Sequence, residues 1–433
     1  PTPPRAAAPA PTPGGRPELE RREAGVHVFR TARGLPILVW PKPGALIAYA
    51  GVYFGGGSAE EPVERAGLTK LLARVALKGT EHRTANQIAE DAEMMGGSLG
   101  GSAGGDSFGW SISVPTVHLP AALDLLADVA QNATVPDDAF ETERAIAQAD
   151  VAALRDDMYR RPMRLAIEAA YAGHPYGIAA AGSEASLASI TAAEVRDWHR
   201  RRVQGGAPVV GIVADGDPEA LAALAARHLA RLEGHDWSPG ERPAWPGSVS
   251  VAAESRDKAQ TALALAFPAP GRRDPERFAA ELLAGVTSGL GGRFFDELRD
   301  RQSLAYTVHA HASERPLGGM FMSYIATSPD KEEVAREGLL REFARLREAP
   351  PTADELQRAK TYALGTHAIA RESGGSRLGE MVDAWLLGTG LAELGDYDTR
   401  IAAVTPEDVQ RLAERYFDEG RRAEGIVRGS SRA

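Results

Sequence analysis

The 433-residue sequence contains no cysteine, so it holds no disulfide, no thiolate nucleophile and no cysteine metal ligand. It also lacks an excess of positive charge. Its 49 Lys and Arg stand against 59 Asp and Glu, and a net charge of -10 is the wrong sign for affinity won by neutralising phosphates, so no nucleic-acid partner is expected. No run approaches the roughly 18 uncharged apolar residues that a membrane-spanning helix needs. The most apolar stretches, such as 261–267, are strand-sized. Its 46 glycines and 29 prolines fall well short of low-complexity composition. What is present is ordinary globular usage, 43% hydrophobic and 25% charged, in a length that suits two or three domains.

Seven prolines among the first 17 residues mark 1–24 as a Pro/Ala-rich N-terminal segment. A chain opening at Pro1 ahead of such a tract reads as processed, which predicts a periplasmic or otherwise exported protein, with the cytoplasm as the alternative. An N-terminal domain then spans 25–233. It begins with strands over 26–40 and 46–56 and a helix over 62–78 that Gly79 stops. A second helix leads into a glycine-rich run, MGGSLGGSAGGDS, followed by the alternating strand FGWSISVP and helices over 119–130 and 136–155. Thr191 and Glu194 form a capping box ahead of a further helix, and a strand and a helix close this half. Residues 234–247 read as a linker, and 248–433 as a C-terminal domain. The second half repeats the order of the first: Thr405-Pro406-Glu407-Asp408 answers Thr191-Ala192-Ala193-Glu194, and the stretch after Pro351 answers that after Pro136. Grouped strands with long helices predict an α+β fold of two homologous sheet-and-helix domains related by internal duplication.

The helix VERAGLTKLLARVALKGT resembles the zinc-site helix of the pitrilysin/insulinase metallopeptidases, a family that includes processing peptidases and their bacterial relatives, on the strength of Gly67-Leu68 and Lys78-Gly79-Thr80. The family's inverted motif, H-x-x-E-H, places two histidines on one helical face for Zn²⁺ and a glutamate as general base. Here those positions hold Lys70, Ala73 and Arg74, and the position implied for the third ligand, in a second helix, holds Asp150. An ammonium and a guanidinium offer no lone pair and repel a dication, and Ala73 has nothing to take a proton. No metal is therefore expected in this chain. Asp150 is expected to pair with Lys70 or Arg74, at a cost of a few kcal/mol on removal if the pair is buried.

The segment GGRFFDELRDRQSLAYTVHA is similar to the family's C-terminal segment bearing an arginine and a tyrosine seven residues apart, here Arg299 and Tyr306. The resemblance implies that the tyrosine donates to a tetrahedral oxyanion while the arginine holds substrate backbone or carboxylate. A lost metal motif beside a kept Arg/Tyr pair resembles the non-zinc-binding subunit of a heterodimeric peptidase. Its homologous partner would carry H-x-x-E-H and the zinc, and peptides or unfolded segments would be cleaved by the pair. The alternative is a catalytically inactive structural or peptide-binding protein of the same fold. Weaker signals read as structural: two G-x-S-x-G matches at Ser98 and Ser102 lack strand-turn-helix context, and His309 and His311 alternate on one strand as solvated or core histidines. The glycine-rich loop 287–292 is either a close approach to peptide or a plain turn before a helix.

Overall fold

The computed structural model describes residues 15–289 and 291–430, so most of the Pro/Ala-rich tract lies outside the described residues. Seven strands form the first sheet: β1 (Glu18–Glu23), β2 (Val26–Arg30), β3 (Pro36–Pro41), β4 (Ile47–Gly55), β5 (Ser98–Ala103), β6 (Ser107–Pro115) and β7 (Pro208–Ala214). Their order is β1-β2-β3-β7-β4-β6-β5. Two expectations change here. Part of the segment assigned to 1–24 is the edge strand β1, and the glycine-rich run supplies strand β5, because six residues from Ser98 to Ala103 pair antiparallel with β6. Ladder hydrogen bonds from the backbone do not require a side-chain pattern, which is what the glycines lack.

The second sheet holds β8 (Ser250–Ser255), β9 (Thr261–Ala269), β10 (Thr307–Ser313), β11 (Gly319–Thr327) and β12 (Ala423–Arg428), in the order β10-β11-β9-β12-β8. Laid on the first sheet, this is β5-β6-β4-β7-β3. The pairing senses agree as well, since β3/β7 and β8/β12 are parallel and the remaining neighbours antiparallel. Helices pack on the sheets over separate cores. In one, Phe54, Phe108 and Trp110 meet Leu71, Leu72 and Leu126; in the other, Phe267, Phe321, Phe343 and Phe417 pack together with tilted and edge-on rings. The chain is therefore an α+β protein built of two equivalent sheet-and-helix halves.

The compact units are not contiguous along the chain. The helix Arg160–Ala170 belongs to the unit of the second sheet, where it packs on β12, β9 and β8, and the helix Gly374–Leu386 belongs to the unit of the first, on β7 and β4. The strands of the two sheets lie on either side of 234–247, while this pair of helices is exchanged between the units. Gly211 and Gly425, at matching places on β7 and β12, allow the approach. A Cβ on Gly425 would lie 1.9 Å from the Pro162 carbonyl oxygen and 2.3 Å from the Ala166 amide nitrogen, both backbone. One on Gly211 would meet the side-chain ends of Leu378, Met381 and Val382, at 2.5, 3.1 and 3.2 Å, and no backbone among these nearest atoms. Gly425→Ala is therefore expected to destabilise the protein by about 3 kcal/mol and Gly211→Ala by about 1 kcal/mol, because side-chain ends move and a helix backbone does not. Urea unfolding of the two variants, showing equal losses, would contradict this.

Candidate functional site

The motif helix is shorter than the sequence predicts. It runs Leu68–Val75, with tight 3-10 turns at Val63–Arg65 and Ala76–Lys78 where a continuous helix was expected. The reason is Gly67, whose φ of 104° is left-handed and closed to a regular helix. The buried Glu61 carboxylate compensates, accepting from the Gly67 and Thr69 amides at 2.7 and 2.6 Å and satisfying N–H groups that a helix start leaves open. Burial pushes the Glu61 carboxyl above its usual range, against these same hydrogen bonds. Two indoles fix the helix further: Trp198 donates to the Thr69 hydroxyl at 3.1 Å, and Trp110 to the Ala73 carbonyl at 3.0 Å. Glu61 carries no sequence signal, being a carboxylate among several in a loop.

Lys70 and Arg74 stand one turn apart on this helix, with Ala73 buried between them. Arg74 donates to Asp150 at 2.5 Å, so of the two pairings expected for Asp150 the structure forms the one with Arg74. One turn further on, Lys78 pairs with the buried carboxylate of Glu143 at 3.0 Å. Lys70 makes no hydrogen bond or ion pair within 4 Å among the described residues, and burial, with the neighbouring Arg74, lowers its pKa. These residues do not fit a zinc ion: three of the four positions carry two cations and a methyl, and the fourth carboxylate is engaged by a guanidinium. The Arg74–Asp150 pair is half-exposed, with 29% and 45% of the side chains accessible, so the loss of a few kcal/mol expected for a buried pair is corrected downward. Asp150→Ala should cost less than about 1 kcal/mol. A fall of several degrees in the melting temperature would show the pair to be worth more.

Arg299 and Tyr306 lie in the second unit. A π-helical turn, Phe295–Arg301, is anchored by the buried Phe294 and Leu298 and presents Arg299, whose guanidinium rests over the Phe295 ring at 4.2 Å and the Tyr306 ring at 5.6 Å. Between them the chain turns sharply. Ser303 takes a left-handed φ of 50°, the Leu304 amide donates back to the Leu298 carbonyl at 2.9 Å, and Thr327 holds the Leu304 carbonyl at 2.6 Å. A left-handed non-glycine residue is kept only where its surroundings dictate it, and here it aims Tyr306 outward. Tyr306 is 80% exposed. Its hydroxyl has no hydrogen-bond partner and Arg299 no carboxylate within 4 Å among the described residues. The two line an open cavity of about 530 Å³ with Gln260, Ser303 and Lys331. Ser303 and Lys331 were not anticipated from sequence, since neither belongs to a motif.

The weaker signals resolve structurally. Ser98 and Ser102 sit on the exposed edge strand β5, not on a strand-turn-helix elbow. His309 and His311 stack with 6.1 Å between rings, and the Tyr159 hydroxyl meets His309 Nε2 at 3.0 Å. Burial, with His311 beside it, holds His309 down at about 4. Arg293, after the glycine-rich loop, is clamped bidentately by Glu355 at 2.7 and 2.8 Å. That hydrogen bonding holds the Glu355 carboxyl at about 2, below its ordinary 4.5.

Comparison with known proteins agrees with the fold. Residues 37–184 match the model described as Insulinase (Peptidase family M16), and 189–362 match that described as Peptidase M16 inactive domain. The chain belongs to peptidase family M16. An uncharacterized zinc protease of Mycobacterium tuberculosis is 29% identical over 327 residues, 71% of this M16 chain and 74% of the relative. The crystal structure of a peptidase M16 inactive domain from Pseudomonas fluorescens superposes with a TM-score of 0.86 at 22% identity, covering 94% of this chain and 98% of that one. A chain of complex III2 from Candida albicans has the same fold at a TM-score of 0.77 and 15% identity, over 93% of this chain and 96% of that one. Among the described residues no helix is long and apolar enough to cross a membrane.

Proposed function

We propose that this M16 chain is the non-zinc-binding subunit of a heterodimeric zinc peptidase and completes the active site of a homologous H-x-x-E-H partner. The observation that carries the reading is the state of Arg299 and Tyr306: a guanidinium without a carboxylate and an exposed hydroxyl without a partner, among the described residues, share one open cavity on a stiffened turn. Such groups are at the disposal of a ligand. The metal and the general base come from the partner. This chain contributes the Tyr306 hydroxyl, donating to the oxyanion that forms when a peptide carbonyl is attacked, and the Arg299 guanidinium, holding the peptide backbone or a carboxylate beside it. Lys70, Ala73 and Arg74 explain why the chain does not work alone.

The test is capture of the chain from its own cells, followed by native mass, metal content and cleavage of an unfolded peptide. A copurifying homologue of similar size, about one zinc per pair and cleavage by the pair alone support the reading. A particle without such a partner, or cleavage indifferent to Arg299 and Tyr306, moves the protein to a structural or peptide-binding role.

A further inference from the structure

Arg299 and Tyr306 share a cavity but are held in place by different means. Arg299 belongs to the π-helical turn Phe295–Arg301, which the buried side chains of Phe294 and Leu298 tie into the second core. Tyr306 lies past that turn and just ahead of β10, whose ladder with β11 begins at Thr307, opposite Ala326. Its side chain is exposed, its hydroxyl has no hydrogen bond among the described residues, and the Arg299 guanidinium beside its ring is itself at the surface of the cavity. The direction of the phenol is therefore set by the backbone that leads into it.

That backbone is gripped from one segment. The carbonyls of Ser303 and Leu304, consecutive in the chain, accept from the Lys331 ammonium at 3.4 Å and from the Thr327 hydroxyl at 2.6 Å. The first bond is long and comes from an exposed side chain, whereas the second is short and only 4% of Thr327 is accessible. Thr327 is the last residue of β11 and is fixed on its far side, where it pairs with Thr261 of β9. Leu304 buries its side chain in the core, which sets where the residue sits. The direction of its carbonyl sets ψ, and ψ decides where Ala305 and Tyr306 go. Ser303, immediately before, keeps its left-handed φ only while its neighbours enforce it, so a weakened hold on Leu304 lets both torsions relax.

We infer that Thr327 is a positioning residue for Tyr306: its hydroxyl locks the Leu304 peptide so that the phenol is presented to the cavity, while Arg299, secured by Phe294 and Leu298, does not depend on it. The two groups are thereby separable. The consequence for cleavage rests on the reading of Tyr306 as oxyanion donor, and the consequence for the order of the ring does not.

The test uses the full chain with 3-fluorotyrosine at position 306, observed by fluorine NMR, and the same variants assembled with the copurified partner, observed by steady-state kinetics on an unfolded peptide. Thr327→Val removes the hydroxyl at nearly constant volume, and Thr327→Ser keeps it. The wild type and the serine variant should give one narrow resonance, and the valine variant a second resonance or a line about twice as broad. Because a misplacement of about 1 Å can cost about 100-fold, Thr327→Val should lower kcat about tenfold or more with KM nearly unchanged. Thr327→Ser should stay close to the wild type. In a Tyr306→Phe background Thr327→Val should lower kcat no further, a non-additivity that general loosening of the fold does not produce. Thr327→Cys, whose thiol is a weak donor, should fall between serine and valine and decides the matter if the valine variant does not fold. An unchanged single resonance without the hydroxyl, kcat losses that multiply in the double variant, or a rise in KM like that of Arg299→Ala overturns the inference. If the assembled pair cleaves nothing, the peptidase reading fails and the fluorine resonance alone decides.

Discussion

Tyr306→Phe should lower cleavage by the assembled peptidase about 100-fold without loosening the fold. The magnitude follows from what one oxyanion donor contributes when it is held in position, roughly 100- to 1,000-fold in turnover. Selectivity follows from burial. With 80% of Tyr306 accessible and no hydrogen bond from its hydroxyl among the described residues, deleting one oxygen removes none of their contacts, and the melting temperature should stay put. The loss should fall on kcat with KM little changed, because the donor acts on charge that develops only in the transition state. Arg299→Ala should raise KM as well, since a guanidinium that holds backbone acts before the reaction begins. Steady-state kinetics of the reconstituted pair separate these cases. A Phe variant with unaltered kcat would remove Tyr306 from the mechanism.

Arg83→Leu is expected to cost about 3–5 kcal/mol, among the largest single losses available to the fold. Arg83 follows the motif helix and its 3-10 extension, and its guanidinium reaches three carboxylates on two helices: Asp91 at 2.9 Å, Asp124 at 2.6 Å and Asp128 at 2.7 Å. Only 10% of the arginine and 5% of Asp128 are accessible. Without the arginine, the buried Asp128 keeps Thr80 at 2.7 Å and Asn132 at 2.8 Å but loses its counter-charge. Removing both charges in Arg83→Leu/Asp128→Leu should restore part of the stability, as an apolar pair is less costly than one orphaned ion. The network also sets an acid limit. His228, then Arg83, holds the Asp124 carboxyl at about 2, against 3.8 for an unperturbed aspartate. A depressed carboxyl stabilises the folded state above its unfolded pKa, so this contribution is complete above about pH 4 and is lost as pH falls toward 2. Urea midpoints measured across that range should drop in the wild type and drop less in Asp124→Asn.

Local signals carried most of the fold. The capping boxes Thr191/Glu194 and Thr405/Asp408 both form as their sequences require, because donors and acceptors lie within four residues and no distant partner is needed. Strand β5 was hidden for the opposite reason: its state is set by β6, which lies beyond a turn and leaves no trace in a run of glycine and serine. The exchange of the helices Arg160–Ala170 and Gly374–Leu386 was equally hidden, since an apolar stripe reports that a helix is covered and not which sheet covers it. At the site, motif positions named Lys70, Ala73, Arg74, Asp150, Arg299 and Tyr306. What they lacked was context. Glu61, the left-handed Ser303 and the hold of Thr327 on Leu304 depend on three-dimensional neighbours that no spacing encodes.

The exchanged helices also dictate an order of events during synthesis. The first sheet is complete once residue 214 has emerged, yet the helix that covers β7 and β4 ends only at Leu386. Until then the ribosome carries a half-dressed sheet whose apolar face is open to water. The second sheet has the reverse history, its covering helix being made long before its strands. Neither half can close on its own schedule, and the long loops that must be drawn shut make the final step slow. A copy of the gene cut at the linker would yield two fragments that each lack a cover and hold the other's.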